Sequence, residues 1–250
     1  MRIPLTKYGM PQVALFPLLT LALMLALVFV FFPAPWLLPV GIILGLVLIW
    51  MFSFFRDPRR GVPLDENVLL SPADGRVTDI SPVDDGGLGR KAVRIGIFLS
   101  VFNVHINRAP CSVRIDGISY KKGAFKNALS PESGRVNESN DILMTRLSEP
   151  EDQLLVRQIS GAIARHIVCA ASEGGRYAQG ERFGMIKFGS RTELYFPAAE
   201  DGRYDIAVKI GDAVRAGLTP LVRYKPGMNQ VQTGTRGINQ VQMGTNKGTN

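Results

Sequence analysis

The sequence predicts a β-dominated α+β protein, in which a helical membrane hairpin precedes a sandwich-barrel-like globular domain. Residues 13–55 contain no Asp, Glu, Lys, Arg or His. The residues that follow form short runs rich in β-branched side chains, separated by Gly, Pro, Asp and Ser, a pattern typical of strands and turns. From residue 226 onward Gly, Asn, Gln and Thr dominate, a composition typical of disorder. These differences divide the chain into an anchor at 1–60, a globular domain at 61–225 and a disordered tail at 226–250.

The composition excludes several classes of protein. Hydrophobic residues make up 46% of the chain and charged residues 20%, and 29 basic against 21 acidic side chains give a net charge of +8. Because all these charges lie outside residues 13–55, the chain is neither disordered, nor an entirely soluble globule, nor a nucleic-acid binder defined by its net charge. Two cysteines, Cys111 and Cys169, with only two histidines, predict no disulfide framework and no zinc site. We therefore expect no metal and a thiol-tolerant, cytoplasmic-type domain.

The anchor contains two apolar segments, residues 13–32 and residues 37–55. Each has about the 20 residues that an α-helix needs to cross a bilayer core of about 30 Å. Pro-Ala-Pro-Trp at residues 33–36 interrupts the helix, because proline has no backbone N–H to donate within lipid. The pattern therefore predicts a helical hairpin. A cleavable signal peptide would have a shorter apolar core, and two interfacial helices that never cross the bilayer are an alternative.

Basic residues flank the hairpin on both sides. Arg2 and Lys7 precede it, and Arg56, Arg59 and Arg60 follow it. Since cytoplasmic loops carry an excess of Lys and Arg, we expect both ends and the globular domain on the cytoplasmic side of the cell (inner) membrane. The cluster after the hairpin also favours anionic head groups by about 1 kcal/mol per basic residue, although an orientation signal alone would account for it.

At the start of the globular domain, the long apolar runs give way to short runs with the pattern of strands. Short β-branched runs bounded by turn residues predict strands, and these lie at residues 67–70, 75–80, 92–98, 113–120, 141–146 and 154–159. Residues 163–171 fit a strand or a helix, since periodicity does not separate the two in a short apolar run. SPADGRV at 71–77 and GDAVRAG at 211–217 resemble the turns of biotinyl- and lipoyl-type sandwich barrels, where glycine supplies a positive φ.

The chain's one Gly-Ser dipeptide, Gly189-Ser190, lies between two strand-like runs within residues 184–197. A serine hydroxyl directly after a flexible glycine can attack the preceding carbonyl where the backbone is strained and the oxyanion is stabilised. Elimination from the resulting ester would break the chain and leave a dehydroalanine, which hydrolyses to an N-terminal pyruvoyl group. On residue types alone, an ordinary turn is the plainer interpretation.

A resemblance to a known family supports the reactive interpretation. FGSRTELYFP at 188–197 is similar to the self-cleavage site of phosphatidylserine decarboxylase proenzymes of the short bacterial and archaeal branch. The other similar motifs follow the family's order and together cover nearly all of residues 65–220: SPADGRV at 71–77, FLSVFNVHINRAP at 98–110, KKGAFKNAL and NESND within 121–141, and GERFGMIKFGS at 180–190. A membrane hairpin ahead of them suits an enzyme whose substrate is a lipid.

The resemblance implies a membrane zymogen of phospholipid biosynthesis. The chain would cut itself between Gly189 and Ser190 into a large β chain and a small α chain, which stay associated and can form a homo-oligomer. Ser190 would become a covalent pyruvoyl cofactor, which forms a Schiff base with phosphatidylserine and withdraws electrons as CO2 leaves. Hydrolysis would release phosphatidylethanolamine. The implied partner is phosphatidylserine in the membrane, with no nucleic acid and no metal.

The resemblance also implies roles for three further residues. His105, in FNVHINRAP, matches the histidine that the family uses near its pyruvoyl group, and we expect it to act as proton donor and base. Asp74, in PADG, matches the acidic member of the Asp-His-Ser trio that supports self-cleavage in longer members; an ordinary turn aspartate is the alternative. We place the trio's histidine three residues after His105, where this chain has Arg108. Either His105 serves both reactions, or cleavage depends more on strain and oxyanion donors.

Arg108 could instead bind the substrate's carboxylate or phosphate, since the planar guanidinium suits both anions. A salt-bridged arginine is the competing interpretation. His166 has no motif around it and is expected to be structural.

Three alternative functions share some of these features. A soluble pyruvoyl-dependent decarboxylase of another amine substrate would have no use for the anchor. A membrane-tethered barrel carrying biotin or lipoate would need a lysine in its hairpin turn, and the two candidate turns lack the carriers' lysine signature, although Lys209 is nearby. A non-catalytic membrane adaptor would tolerate the loss of the Ser190 hydroxyl.

Overall fold

The computed structural model describes residues 5–126, 133–161, 166–187, 190–199 and 202–225. The helices are a short 3-10 helix at Lys7–Gly9, α1 at Met10–Phe31, α2 at Leu37–Phe54 and the single turn α3 at Ser133–Val136. The strands are β1 Val68–Leu70, β2 Gly75–Val83, β3 Ala92–Leu99, β4 Ile106–Arg108, β5 Val113–Lys121, β6 Ser139–Arg146, β7 Gln153–Ser160, β8 Ile167–Cys169, β9 Arg176–Tyr177, β10 Arg182–Ile186, β11 Ser190–Pro197, β12 Tyr204–Ile206, β13 Ala213–Val214 and β14 Pro220–Tyr224. The predicted tail at 226–250 lies outside the described residues.

Two apolar helices form the N-terminal part of the chain. Lys7–Phe31 and Leu37–Phe54 have mean hydropathies of 2.8 and 2.5, and only 6% and 11% of their apolar windows are buried within the protein. Both helices are long and apolar enough to cross a membrane. Helices that are apolar on all faces need either a protein core or lipid around them. Since little of this surface is covered by the chain itself, the pair suits a bilayer.

The ends of the hairpin that join the globular domain pack directly on it. The backbone N–H of Thr6 donates to the carbonyl of Phe55 at 2.9 Å, which ties the beginning of the hairpin to its end. Burying one large apolar side chain contributes about 1.5–3 kcal/mol, so a cluster of seven makes the anchor part of the fold rather than a loose tether. The buried members of this cluster come from α1, α2, the residue after α2, and the segment around β4 and β10: Val13, Met51, Phe54, Phe55, Val104, Ile106 and Met185.

An eight-stranded antiparallel sheet forms the body of the globular domain, in the order β13-β2-β3-β11-β7-β6-β5-β9. The central strand β11 pairs with β3 along its whole length and with β7 over residues 190–195. Every side chain of β11 is buried. The sheet is curled, and its apolar face shares one core with residues such as Leu69 of β1 and Val222 of β14.

Two three-stranded sheets complete the domain, in the orders β1-β14-β12 and β4-β10-β8. The two turn segments noted in the sequence meet, because β13 pairs with the start of β2 and places Val214 opposite Gly75. In the second turn, Gly211 and Gly217 have φ angles of 96° and 68°, which glycine adopts without strain. The sheet β4-β10-β8 packs against the end of the hairpin and forms one side of the candidate site.

The prediction of a β-dominated α+β fold, with a sandwich-barrel-like domain behind a helical hairpin, is confirmed. All six predicted strands are present, several with longer ends, as in β2, which continues to Val83. In the undecided region 163–171 the structure has a strand at Ile167–Cys169, while residues 162–165 lie outside the described residues. The pattern gave no sign of β4 at Ile106–Arg108, because three residues are too few to show a period.

Candidate active site

Ser190 is the first residue of the central strand β11, and its side chain is completely buried. Its Cα lies opposite Leu99 of β3 on one side and Ser160 of β7 on the other. The Ser190 hydroxyl has no hydrogen-bond partner among the described residues. A buried polar group without a partner costs about 1–3 kcal/mol, and such a group in a native protein calls for an explanation in its function or surroundings. Gly189, the other half of the predicted cleavage site, lies outside the described residues.

His105 immediately precedes β4 and is also completely buried. Its Nδ1 lies 3.0 Å from the carbonyl oxygen of Asn103, which selects the tautomer with the proton on Nδ1. Its Nε2 is then an acceptor, and it has no partner within the described ranges. Burial lowers the pKa of His105 to about 4, although the hydrogen bond to Asn103 acts in the opposite direction. The ring is therefore neutral at pH 7 and can act as a base.

Two hydrogen bonds hold the His105 segment alongside the residues that flank Ser190. The backbone N–H of Ile186, four residues before Ser190, donates to the carbonyl of His105 at 3.2 Å. The Nδ2 of Asn107 donates to the hydroxyl of Thr192, two residues after Ser190, at 3.1 Å. Since side chains two residues apart on a strand project from the same face, the hydroxyls of Ser190 and Thr192 face the same interior region. The structure thus brings the His105 and Ser190 segments together.

A chain of buried amide side chains continues from this contact. Asn107 accepts a hydrogen bond through Oδ1 from Nε2 of Gln158 at 2.9 Å. Gln158 accepts in turn through Oε1 from Nδ2 of Asn140 at 3.1 Å. All three side chains are buried, and buried polar networks of this kind fix a unique arrangement when every member is bonded. This network joins β4, which directly follows His105, to β11, which begins with Ser190.

Sequence reasoning missed these amide residues. A signal was present, because Gln158 interrupts the apolar strand LLVRQIS, and Asn107 and Asn140 are likewise polar residues within strands. Polar side chains at inward positions of a strand indicate a buried network or a site. Which partners they would find depended on contacts between distant parts of the chain.

Asp74 lies at the turn before β2, and its carboxylate accepts three hydrogen bonds. Its two carboxylate oxygens accept from Nη1 and Nη2 of Arg60 at 2.6 and 2.7 Å, and Oδ1 also accepts from the backbone N–H of Ala216 at 2.7 Å. No hydrogen bond joins Asp74 to His105 or Ser190 in the described part of the chain. Asp74 therefore connects the end of the anchor to the turn after β13, and its support of self-cleavage stays a prediction.

Arg108 is only 4% exposed, and its guanidinium is directed into the protein. It donates to Asp57 at 3.1 Å and to the carbonyls of Gly180 and Pro58 at 3.0 and 3.2 Å. Asp57 also forms an ion pair with Arg182 at 2.7 Å. These contacts fasten the linker after α2 to β4 and β10, as in the salt-bridge interpretation. Substrate binding by Arg108 stays a prediction.

The site lies at the end of the globular domain that faces the hairpin. The Phe54 ring of α2 packs on the His105 imidazole with ring centroids 4.4 Å apart. Lys187, which begins the segment leading to Ser190, donates to Oε1 of Gln12 in α1 at 3.2 Å. Both predicted reactive residues thus lie on segments that touch the apolar helices.

The remaining histidine and the two cysteines form no hydrogen bond with the Ser190 hydroxyl or with the His105 ring among the described residues. His166 is exposed, and its carbonyl accepts from the backbone N–H of Lys187 at 3.2 Å. Cys111 is buried and Cys169 half-buried, and both are free. Over the described ranges, no group of three or more His, Cys, Asp or Glu residues could hold a metal ion.

The sequence of this chain is similar to those of one known protein family. The family described as Phosphatidylserine decarboxylase matches residues 47–221. The chain is 41% identical over 225 residues to a phosphatidylserine decarboxylase proenzyme of Rhodopirellula baltica, and the alignment covers 90% of each chain. Proenzymes of the same name are 44% identical in Pelagibacter ubique, over 72% of this chain and 83% of the relative, and 40% identical in Nitrosomonas eutropha, over 84% and 93%. The family match includes Asp74, His105 and Ser190.

Proposed function

Because the chain belongs to the phosphatidylserine decarboxylase family, we propose that it cleaves itself between Gly189 and Ser190 and then converts phosphatidylserine to phosphatidylethanolamine and CO2. One observation carries the proposal. The buried Ser190 hydroxyl and the buried Nε2 of His105 both lack partners within the described residues, on segments joined by hydrogen bonds on either side of Ser190. The structure does not join these two groups by a hydrogen bond. A neutral imidazole and an unbonded hydroxyl on adjacent segments are nevertheless the pair of groups that nucleophilic catalysis by serine uses once they come into contact.

In the first reaction, the neutral imidazole of His105 accepts the Ser190 hydroxyl proton, and the oxygen attacks the carbonyl carbon of Gly189. The peptide C–N bond breaks as the nitrogen takes a proton, which leaves an ester between Gly189 and the Ser190 side chain. Removal of the α-hydrogen of Ser190 expels the Gly189 carboxylate and leaves a dehydroalanine. Addition of water and loss of ammonia then convert this residue into the pyruvoyl group at the start of the small chain.

The residues around Ser190 fit such a group. Its unpaired hydroxyl marks a buried position where no described side chain competes for the reactive atoms. The pyruvoyl ketone supplies the electron sink that loss of CO2 from an amino-acid head group needs. The Asn103 carbonyl holds the proton of His105 on Nδ1, so Nε2 is unprotonated in the resting site. Nε2 would therefore first take up a proton, from water or from the ammonium group of the substrate, and would then return it to the substrate carbon after CO2 has left.

The sheet supports the expectation that the two chains stay associated. A cut between residues 189 and 190 would make Ser190 the first residue of the small chain. That chain begins with β11, which is paired with β3 along its whole length and with β7 over residues 190–195. Since β11 is buried and central, the small chain would remain within the eight-stranded sheet.

The hairpin supports a membrane lipid as the substrate. The contacts of Phe54 with His105 and of Gln12 with Lys187 place the reactive residues close to the apolar helices. A phospholipid head group would then reach the site while its acyl chains stay in the bilayer. The basic flanks of the hairpin support a cytoplasmic orientation.

Intact mass of the purified full chain tests the proposal. We expect two polypeptides, the smaller of which begins at former residue 190 with a ketone-bearing end, and release of CO2 from phosphatidylserine vesicles. Ser190→Ala should remain one uncut chain with no decarboxylase activity. Ser160→Ala is the matched control, because it removes the neighbouring buried hydroxyl and should cleave normally. A single unbroken wild-type chain with an ordinary serine at 190 would contradict the proposal.

A further inference from the structure

A cavity of about 510 Å³ lies between the end of the hairpin and the turn after β13. Arg56, its residue nearest to the hairpin, comes two positions after the last residue of α2. A cavity at that level would face the head-group region of a bilayer. Its lining includes four arginines, Arg56, Arg59, Arg60 and Arg215, together with the carboxylate of Asp74.

The four arginines of this cavity differ in their bonding. Arg60 is neutralised by Asp74, the one carboxylate among the described residues of the lining. Arg56 donates to the carbonyls of Ser53 and Phe102, which fixes its position. The side chains of Arg59 and Arg215 are exposed, and neither forms a hydrogen bond or ion pair with any described residue. Two guanidinium groups are therefore left for an anion that enters the cavity.

The cavity adjoins His105. Asn103 and Val104 line it and directly precede His105 in the chain. The Asn103 carbonyl is the acceptor for Nδ1 of His105. Arg56 and Asp74 are close enough to act on the pKa of His105, the first lowering it and the second raising it. A ligand bound in this cavity would therefore lie next to the segment that contains His105.

A neighbouring cavity of about 420 Å³ is a weaker candidate for an anion. Its basic residues Lys7, Arg59 and Arg182 are accompanied by two carboxylates, those of Asp57 and Glu181. The lining is therefore more nearly balanced in charge than that of the cavity beside His105. The larger excess of positive charge, four arginines against one aspartate, lies in the cavity beside His105.

We propose that the cavity beside His105 binds the phosphodiester of the phospholipid substrate, with Arg59 and Arg215 as its cationic ligands. The planar guanidinium donates two parallel hydrogen bonds to phosphate, and each such charged contact is stronger than a neutral one. The arginines would anchor the head group at its phosphate, so that its amino acid end extends toward His105 and residue 190. This inference rests on the proposed function and identifies how its substrate is held.

The test compares Arg59→Gln, Arg215→Gln and the double variant with the full-length wild-type protein. Arg223→Gln is the matched control, since Arg223 is exposed on β14 and does not line the cavity. Decarboxylation is measured on phosphatidylserine in neutral-detergent micelles, where surface charge is low. We expect KM to rise about tenfold in each single variant, while kcat stays within about twofold and self-cleavage by intact mass is unchanged.

A second arm separates the lipid phosphodiester from free phosphate and from general membrane attraction. Soluble glycerophosphoserine should inhibit the wild type competitively, more strongly than inorganic phosphate does. It should inhibit the double variant, which lacks both guanidinium groups, at least about tenfold less. Equal inhibition by inorganic phosphate would reduce the cavity to a simple ion site and overturn the inference. So would a KM effect seen only on anionic vesicles, or an equal effect of Arg223→Gln. If the wild type is neither cut nor active, the proposed function fails; if it is active and the arginine variants match it, only this inference fails.

Discussion

The ring of Phe54, the last residue of α2, packs on the imidazole of His105 with centroids 4.4 Å apart and an interplanar angle of 36°. The last turn of the anchor is therefore part of the wall that keeps His105 out of water. Desolvation is also the main cause of the low pKa of His105. The end of α2 thus takes part in the desolvation that lowers the pKa of His105.

Phe54→Ala should reduce both the stability that this ring contact contributes and the desolvation of His105. Removing a buried phenyl ring costs about 3–5 kcal/mol, so the thermal unfolding temperature of the detergent-solubilised chain should fall. The pKa of His105 should rise toward its ordinary value as water enters, which NMR of labelled histidine in the uncut Ser190→Ala chain would detect. Phe102→Ala is the control, because Phe102 is 71% exposed. An unchanged pKa in Phe54→Ala would show that the ring does not desolvate His105.

The low pKa of His105 predicts the pH dependence of self-cleavage. The neutral, proton-accepting form predominates above a pKa of about 4. The rate of cleavage should therefore rise as pH increases through 4 and remain level from about pH 5.5 to pH 8. Freshly synthesised full chain, sampled over time by mass at each pH, gives the profile. An inflection near pH 6.5 would indicate a solvated histidine and contradict the buried geometry.

The same shift makes stability depend on pH. The unfolded state binds a proton at His105 below about pH 6.5, whereas the folded state does so only below about pH 4. Between these values the unfolded state binds more protons, so stability falls as pH falls through this window. The loss amounts to about 3 kcal/mol once pH is below both values. His105→Phe, which cannot titrate, should lose less stability between pH 7 and pH 4.5 in urea unfolding of the Ser190→Ala chain.

Much of the fold followed from local patterns, whereas the contacts of the site did not. The hairpin was predictable because helices in lipid need long uncharged runs, and strands such as β5 were predictable from β-branched residues between turns. Asn107 and Thr192 are bonded across 85 positions of the chain, and Arg108 and Asp57 across 51. The periodicity of apolar residues along a sequence gives no information on which distant residues will form such pairs. The family resemblance suggested Ser190 and His105 as candidate site residues, but it gave no information on the buried amide chain around them.

Asn107→Leu should slow self-cleavage because it removes the centre of the amide chain. Thr192 and Gln158 would each lose a buried partner, at a cost of about 1–3 kcal/mol for each group left unsatisfied. The precursor should accumulate, which gel electrophoresis and intact mass would show, and thermal stability should fall. Ser160→Ala is again the control, since the Ser160 hydroxyl has no partner to lose in the described part of the chain. Wild-type cleavage in Asn107→Leu would separate the amide chain from the reaction.

Arg108→Gln distinguishes a structural from a substrate-binding role for this residue. The change leaves Asp57 with Arg182 as its remaining ion-pair partner and removes bonds to two carbonyls. Breaking a buried ion pair costs about 3–5 kcal/mol, so we expect a lower unfolding temperature with little change in KM of the folded fraction. A large rise in KM at unchanged stability would instead show that Arg108 binds the substrate.

Asp74→Asn and Arg60→Gln together decide what the Asp74 carboxylate does. If it serves only to join the anchor to the turn after β13, both variants should lower the unfolding temperature by similar amounts, because each breaks the same bidentate pair. The double variant should then add little to either single change, as expected for two residues that act through one interaction. If Asp74 supports self-cleavage directly, Asp74→Asn should leave the chain uncut while Arg60→Gln is still processed. Since no hydrogen bond joins Asp74 to His105 within the described residues, and its charge only raises the pKa of that histidine, we expect the first result.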